Sequence, residues 1–323
     1  MRPGSLSGTG LLAALLSAAT FGTSGAFATS LIATGWTPGA AVLARVVVAA
    51  VVLTVPALVQ LRGSGGVSLR TMRSVSVYGV FAVAAAQLCY FNAVEHLSVA
   101  VALLLEYSGV LLVVGWLWLQ HGHRPRRLTV AGAAAALAGL VLVLDLVGDH
   151  RLDGVGILWG LGAAVGLAVY FVMASSTDSD LPPLVVAWGG LAVGAAVLGL
   201  AAAVGALPVH ASRAPVTLAD TSMSWVVPVL GMALVAAVVA YVTGIAAARL
   251  LGAKVASFVG LTEVLFAVVF AWVLLGQRLD VMQALGAVLV VGGIVLVRAD
   301  ELRPPTAARP AVPARTLLAA DSA

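Results

Sequence analysis

Four polar side chains stand well inside long apolar runs: Arg45, Gln87, Glu106 and Glu263. Glu106 interrupts LLLEYSGVLLVVGWLWL (103–119), and Glu263 lies in the middle of the apolar stretch 252–275. If these runs cross a bilayer, each ionisable group sits in hydrocarbon at a cost of about 2.5–3.5 kcal/mol on insertion scales, and is a functional candidate for that reason. An arginine there can hold a carboxylate or pair with an acid, and an acid can bind an amine or a proton. The same residues also admit a scaffolding role. Arg45 and Glu106 could be a fixed ion pair locking two helices, and Glu263 a protonated acid bonded to a neighbouring helix.

Composition decides which solvent surrounds them. Of the 323 residues 62% are hydrophobic and 9% charged, with a mean hydropathy of +1.11, whereas soluble domains carry about 25% charged residues. So few charges cannot cover the surface of a soluble protein of this size, so lipid must surround most of the chain. A net charge of +4 and a pI near 9.7 would raise nucleic acid as a partner for a soluble chain. Here every cation except Lys254 is arginine, and they fall mainly in loops, which fits membrane orientation better than phosphate binding. Arginine-rich basic positions with heavy Ala, Val and Gly use point to a GC-rich bacterial genome. Cys89 stands alone, so no disulfide framework is possible.

A spanning helix needs about 20 mainly apolar residues. Segments 10–33, 37–61, 74–95, 98–120, 128–147, 154–175, 183–206, 223–248, 252–275 and 280–298 qualify. The first run is longer than a signal peptide core and is followed by further spans, so it reads as span 1. With ten spans, Arg151, Arg213 and Arg278 lie on one side, Arg45 lies within span 2, and every other cation lies on the other side. The positive-inside rule then places both termini in the cytoplasm. The tail 299–323, rich in Pro, Ala and Arg, has no apolar span and is expected to be disordered.

The chain also repeats. Residues 95–144 lie over 249–298 without a gap, GTGLLAALLSAA resembles GVGILWGLGAAV, and Pro38 and Pro183 each open a second span. Five spans per half is an odd number, so the halves (8–147 and 154–298) must be inverted. Inverted halves place a binding site at their interface near the midplane in many secondary transporters. The expected fold is an all-α integral membrane protein of ten transmembrane helices in two inverted five-helix repeats.

The paired halves, with ALLLEYSGVLLVV (102–114) and LTEVLFAVVFAWVLLGQRLDVMQALGAVLVVGGIVLV (261–297), resemble the drug/metabolite transporter superfamily, specifically its EamA-type members. The resemblance covers residues 8–298. The second motif departs from the usual Glu-Pro and Gly-Glu-Arg form at Val264 and Gln277. The first resembles the branch of threonine/homoserine exporters, with Val110 in place of a proline. The resemblance implies transport of a small metabolite, such as an amino acid or related compound, out across the inner membrane.

Depth follows from a helical rise of about 1.5 Å per residue: Arg45 falls roughly 10 Å, and Glu106 roughly 12 Å, below the outer surface. Gln87 comes out at a similar depth, so the three can meet in one layer. Under the repeat offset, Glu106 maps one turn from Glu263, and Arg45 maps near Gly189–Gly190. Tyr90, Tyr107, Tyr170, Trp188 and Tyr241 are weaker candidates for the lining of a pathway, since most aromatics in spans pack or anchor. Small-residue runs such as 132–139 and 160–166 suit close helix approach.

No P-loop is present, so energy must come from an ion gradient or from the solute's own gradient. HExxH and GxSxG are absent, and His96, His121, His123, His150 and His210 fall in loops or turns without metal-ligand spacing. Neither an intramembrane enzyme nor a cofactor or metal is expected. A facilitative channel or uniporter, or a multidrug efflux protein, is the alternative to a proton-coupled exporter. No ring of like charges or filter-like loop favours a channel. The expected partners are a small-molecule solute and the lipid bilayer, without nucleic acid; a homodimer is left open.

Overall fold

The computed structural model describes residues 3–62, 67–97, 99–122, 125–144, 153–176, 181–276 and 280–302. Arg124, Arg151, Arg278, His123, His150 and the tail from residue 303 lie outside them. The described chain is almost wholly helical, with helices α1 (Pro3–Ile32), α2 (Pro38–Arg62), α3 (Leu69–His96), α4 (Val99–Tyr107 and Gly109–His121), α5 (Arg127–Val143), α6 (Gly154–Ala174), α7 (Pro183–Ala203), α8 (226–251), α9 (253–260 and Thr262–Leu275) and α10 (Val281–Glu301). Proline at the start of α2 and α7 is expected, because its missing N–H costs nothing in the first turn.

Several boundaries differ from the expected ones: α1 starts at Pro3 rather than 10, α3 at Leu69 rather than 74, and α7 ends at Ala203 rather than 206. Residue 223 does not start α8. It closes a small antiparallel hairpin, β1 (Val216–Leu218) and β2 (Thr221–Met223), whose tight turn uses Ala219 and Asp220 at positive φ. The described part of α5 ends at Val143, and 145–147 lie outside the described residues. α10 runs on to Glu301, past the expected end at 298, because its last turn has partners. Asp300 is buried and accepts from the Thr129 hydroxyl at 2.6 Å, Arg126 donates to the Asp300 carbonyl, and Glu301 pairs with Lys254.

The packing carries the inversion. α1 packs on α8 and α9, and α3 and α4 pack correspondingly on α6, while α2 packs on α7 and α5 on α10. Exchanging the halves turns this contact pattern into itself, as a pseudo-two-fold requires. α5 and α10 approach backbone to backbone. A Cβ on Gly139 would stand 2.6 Å from the Gly286 carbonyl, and one on Gly132 2.7 Å from the Gly293 carbonyl. Small residues at membrane helix contacts allow this approach, because in lipid close packing replaces the hydrophobic drive.

The connections gather at two ends. At one end, which holds the hairpin, the Trp36 indole donates to the Ser212 carbonyl, Thr37 bonds His210, the Ala219 N–H donates to the Leu274 carbonyl, and His96 lies 3.2 Å from Asp153. At the other, the basic end, Lys254 meets Glu301, Arg126 reaches Asp300, and Arg249 donates to the Leu181 carbonyl at 2.7 Å. The grouping is the one expected from alternating spans.

Candidate functional site

The two acids sit beside matched breaks in their helices. α4 is interrupted at Ser108, two residues after Glu106, and α9 at Leu261, two residues before Glu263. At each break a hydroxyl bonds the carbonyl three residues back: Ser108 to Leu105 at 2.6 Å and Thr262 to Val259 at 2.7 Å. Such back-bonding competes with the helical ladder and bends a helix. Both broken helices also end alike. Gly122 (φ 69°) closes α4 against the Trp118 carbonyl, and Gly276 (φ 68°) closes α9 against the Trp272 carbonyl, in a left-handed conformation that glycine adopts without a Cβ penalty.

A second matched irregularity lies in α3 and α8. Each contains a wide π-helical stretch, Gly79–Ala85 in one and Gly231–Val239 in the other. Stretches of this kind are frequent at functional sites. The one in α3 leads directly to Ala86, Gln87 and Tyr90, which face the interior.

Both acids face one cavity of about 520 Å³ between the two halves. Arg45, Gln87, Tyr90, Glu106, Tyr107, Tyr170, Tyr241 and Glu263 all line it. The volume lies within the range of small-molecule sites, about 300–1,000 Å³. Its lining extends to Thr29, Leu144, Leu275 and Gln283 at the hairpin end. Towards the basic end its wall includes a layer of tyrosines, and the lining continues to Ala14, Ala247 and Ala256. Tyr170 packs edge-on against Tyr241 with centroids 5.8 Å apart, and Tyr78 stacks behind Tyr170 at 6.0 Å. Gly244 makes room for this layer, because a Cβ there would stand 2.2 Å from the Tyr170 hydroxyl.

Polar contacts inside the cavity are sparse. The Arg45 side chain is 5% exposed, donates from Nη1 to the Ser24 hydroxyl at 2.9 Å, and leaves Nε without a partner. Among the described residues, neither acid has a basic nitrogen within 4.0 Å. The fixed Arg45–Glu106 pair offered as a scaffold is therefore not formed. Arg45 instead shares the cavity with both carboxylates and bonds Ser24.

Trp188 does not line this cavity and is a correction to the expected lining. Its indole donates to the Thr54 hydroxyl at 3.0 Å, which turns the ring into the α2–α7 contact. The glycines at the repeat position of Arg45 also have a physical reason. A Cβ on Gly189 would stand 2.5 Å from Val75, and one on Gly190 2.6 Å from the Tyr78 ring, so no long side chain fits there. Sequence reasoning missed α1. Its Ser17, Phe21, Ser24 and Ala28 line the cavity at helical spacing and supply the partner of Arg45. The recurrence of small polar residues at intervals of three and four along span 1 was the available signal.

Comparison with known proteins adds four findings. The model of the EamA-like transporter family matches residues 8–145 and 154–299. An uncharacterised inner membrane transporter of Salmonella typhimurium, YicL, is 22% identical over 232 residues, covering 71% of this chain and 74% of its own. An uncharacterised Bacillus subtilis transporter, YwfM, is 29% identical over 109 residues, 32% of this chain and 37% of its own. A solved structure described only as "Crystal structure of protein" superposes with a TM-score of 0.70 over 91% of this chain and 98% of its own, at 23% identity, a likeness of fold alone.

Proposed function

This chain belongs to the EamA-like transporter family of the drug/metabolite transporter superfamily, and from that premise we propose a proton-coupled exporter of a small metabolite that works by alternating access. Members of such a family are multi-pass membrane proteins that carry a solute and do not perform chemistry on it. The finer reading rests on one observation: Arg45, Glu106 and Glu263 face one cavity between the halves, and among the described residues neither acid is paired with a cation.

An amino acid or related compound suits these groups. Arg45 receives its carboxylate, Gln87 and the tyrosine hydroxyls orient it, and Glu106 or Glu263 meets its amine or holds a proton. Broken helices suit the same task, since a break exposes backbone groups to a cavity without exposing them to lipid. With the positive-inside rule the basic end is cytoplasmic, so both termini lie in the cytoplasm of a bacterial cell and this conformation opens outward. The division into repeats 8–147 and 154–298 supplies the two bodies that rock. Closing the hairpin end and parting the tyrosine layer would complete the cycle.

The test is efflux from proteoliposomes with and without a pH gradient, using a solute found by screening the exometabolites of a deletion strain. Glu106→Gln and Glu263→Gln are expected to abolish the response to the gradient while the protein still folds. Undiminished gradient-driven efflux in both variants would remove the acids from the mechanism. Saturable counterflow separates this carrier from a channel, which would give ohmic conductance.

A further inference from the structure

The two repeats correspond residue by residue, and their packing shows the register. Gly10 in α1 and Gly156 in α6 hold the same place in their halves, and so do Leu251 and Leu97. A Cβ on Gly10 would stand 2.9 Å from Leu251, and one on Gly156 2.6 Å from Leu97. In this register Ser24, Gly25 and Gln87 occupy the places that Tyr170, Phe171 and Tyr241 take in the second half, and Glu106 takes the place of Gly260. The second half fills its space: the Phe171 ring is buried, and a Cβ on Gly260 would stand 2.8 Å from it. The first half leaves the counterpart open. Gly25 lines the central cavity, and among the described residues a Cβ there would meet nothing within 4 Å. Glycine weakens a helix interior, yet at Gly25 neither a positive φ nor a close approach requires it. What the glycine supplies is the empty volume in front of it.

We propose that Gly25 is a specificity-determining residue of this carrier, over which an apolar substituent of the solute lodges, in the space whose counterpart the Phe171 ring fills. The assignment rests on the transport reading above and deepens it by naming what limits the size of the solute. Ser24, the next residue, accepts from Arg45 at 2.9 Å. A solute whose carboxylate meets Arg45 and whose amine meets Glu106 therefore has its remaining substituent beside Gly25. Phe21 and Ala28, one turn to either side on the same face of α1, give this space apolar walls. The limit is steric: each carbon added to Gly25 shortens the longest substituent carried and leaves both polar anchors in place.

The experiment measures thermal unfolding of the full chain in phosphatidylcholine nanodiscs, titrated with alanine, norvaline and norleucine, since a bound amino acid raises the midpoint by mass action. In wild type all three raise the midpoint. Gly25→Ala, Gly25→Val and Gly25→Phe are expected to exclude the longer members in turn. Norleucine should weaken by at least about tenfold, the discrimination that one methylene carries in an apolar pocket, while alanine changes less than about twofold. Midpoints without amino acid stay level or rise, because the added atoms meet open space, and Gly25→Ala serves if Gly25→Phe fails to fold. Gly115→Val, in α4, is the control: a Cβ there also meets open space, but Gly115 is not among the residues lining the cavity, so all three amino acids should bind as in wild type. Equal weakening of alanine and norleucine, Gly25 variants that match wild type, the same change in Gly115→Val, or no response of wild type to any of the three overturns the assignment. Overturned with efflux still dependent on Glu106 and Glu263, it leaves the proton-coupled carrier standing. A size limit set at Gly25 with gradient-driven efflux intact in Glu106→Gln and Glu263→Gln upholds the assignment and removes only the proton coupling.

Discussion

Replacing Arg45 by glutamine separates a working guanidinium from a structural one, because the two readings move stability and transport in opposite ways. In the structure Arg45 is 5% exposed, holds one hydroxyl and, among the described residues, forms no ion pair. A neutral glutamine can keep a bond to Ser24 while removing a charge that is costly to bury, so the unfolding midpoint should stay level or rise. Transport should fall. Loss of one charge-assisted hydrogen bond to a solute carboxylate is worth about 1.5–3 kcal/mol, and about 1.4 kcal/mol is a factor of ten. The solute's KM should therefore rise about ten- to a hundredfold. Arg45→Lys should recover part of this, since it keeps the charge without the planar fork. The assay is tracer efflux from proteoliposomes across a solute series, beside thermal unfolding of the same preparations. Destabilisation by about 3–5 kcal/mol, the cost of breaking a buried ion pair, with KM unchanged would refute the argument.

Further outcomes follow from packing and capping. Gly244→Ala should push Tyr170 off the tyrosine layer, given the 2.2 Å approach to its hydroxyl, and raise uncoupled leak of solute in the absence of a gradient. Gly139→Ala must part α5 from α10, where backbone meets backbone; overpacking of this kind costs about 1–3 kcal/mol, measurable as a lower unfolding midpoint. Thr129→Val removes the hydroxyl that holds buried Asp300 and should cost about 1.5–3 kcal/mol, as bonds to charged groups do. At the hairpin end the Val155 N–H, and then His96, hold the Asp153 carboxyl below its usual range. A depressed pKa means stabilisation above the unfolded value that is lost as pH falls through the folded one. The stability gap between wild type and Asp153→Asn should therefore narrow on acidification below about pH 4, the unperturbed aspartate range, and a gap independent of pH would contradict this.

The sequence by itself determined the solvent, the number of spans and their inversion. Each follows from quantities that add along a chain: apolar length, the side on which arginines fall, and the parity of spans in a half. Arg45, Gln87, Glu106 and Glu263 were legible for the same reason, since polar groups in apolar runs are exceptions a list of residues reveals. Spacing along single helices could not say which of them meet. Trp188 is an aromatic in a span like Tyr170, yet one turns to Thr54 and the other to the cavity. That choice depends on how α7 is rotated against α2. The absence of an Arg45–Glu106 pair and the contribution of α1 likewise emerged only in three dimensions. Depth along a helix is fixed by residue count. The direction a side chain points is fixed by which neighbour packs behind it, and in a bilayer that neighbour comes from the other half of the chain.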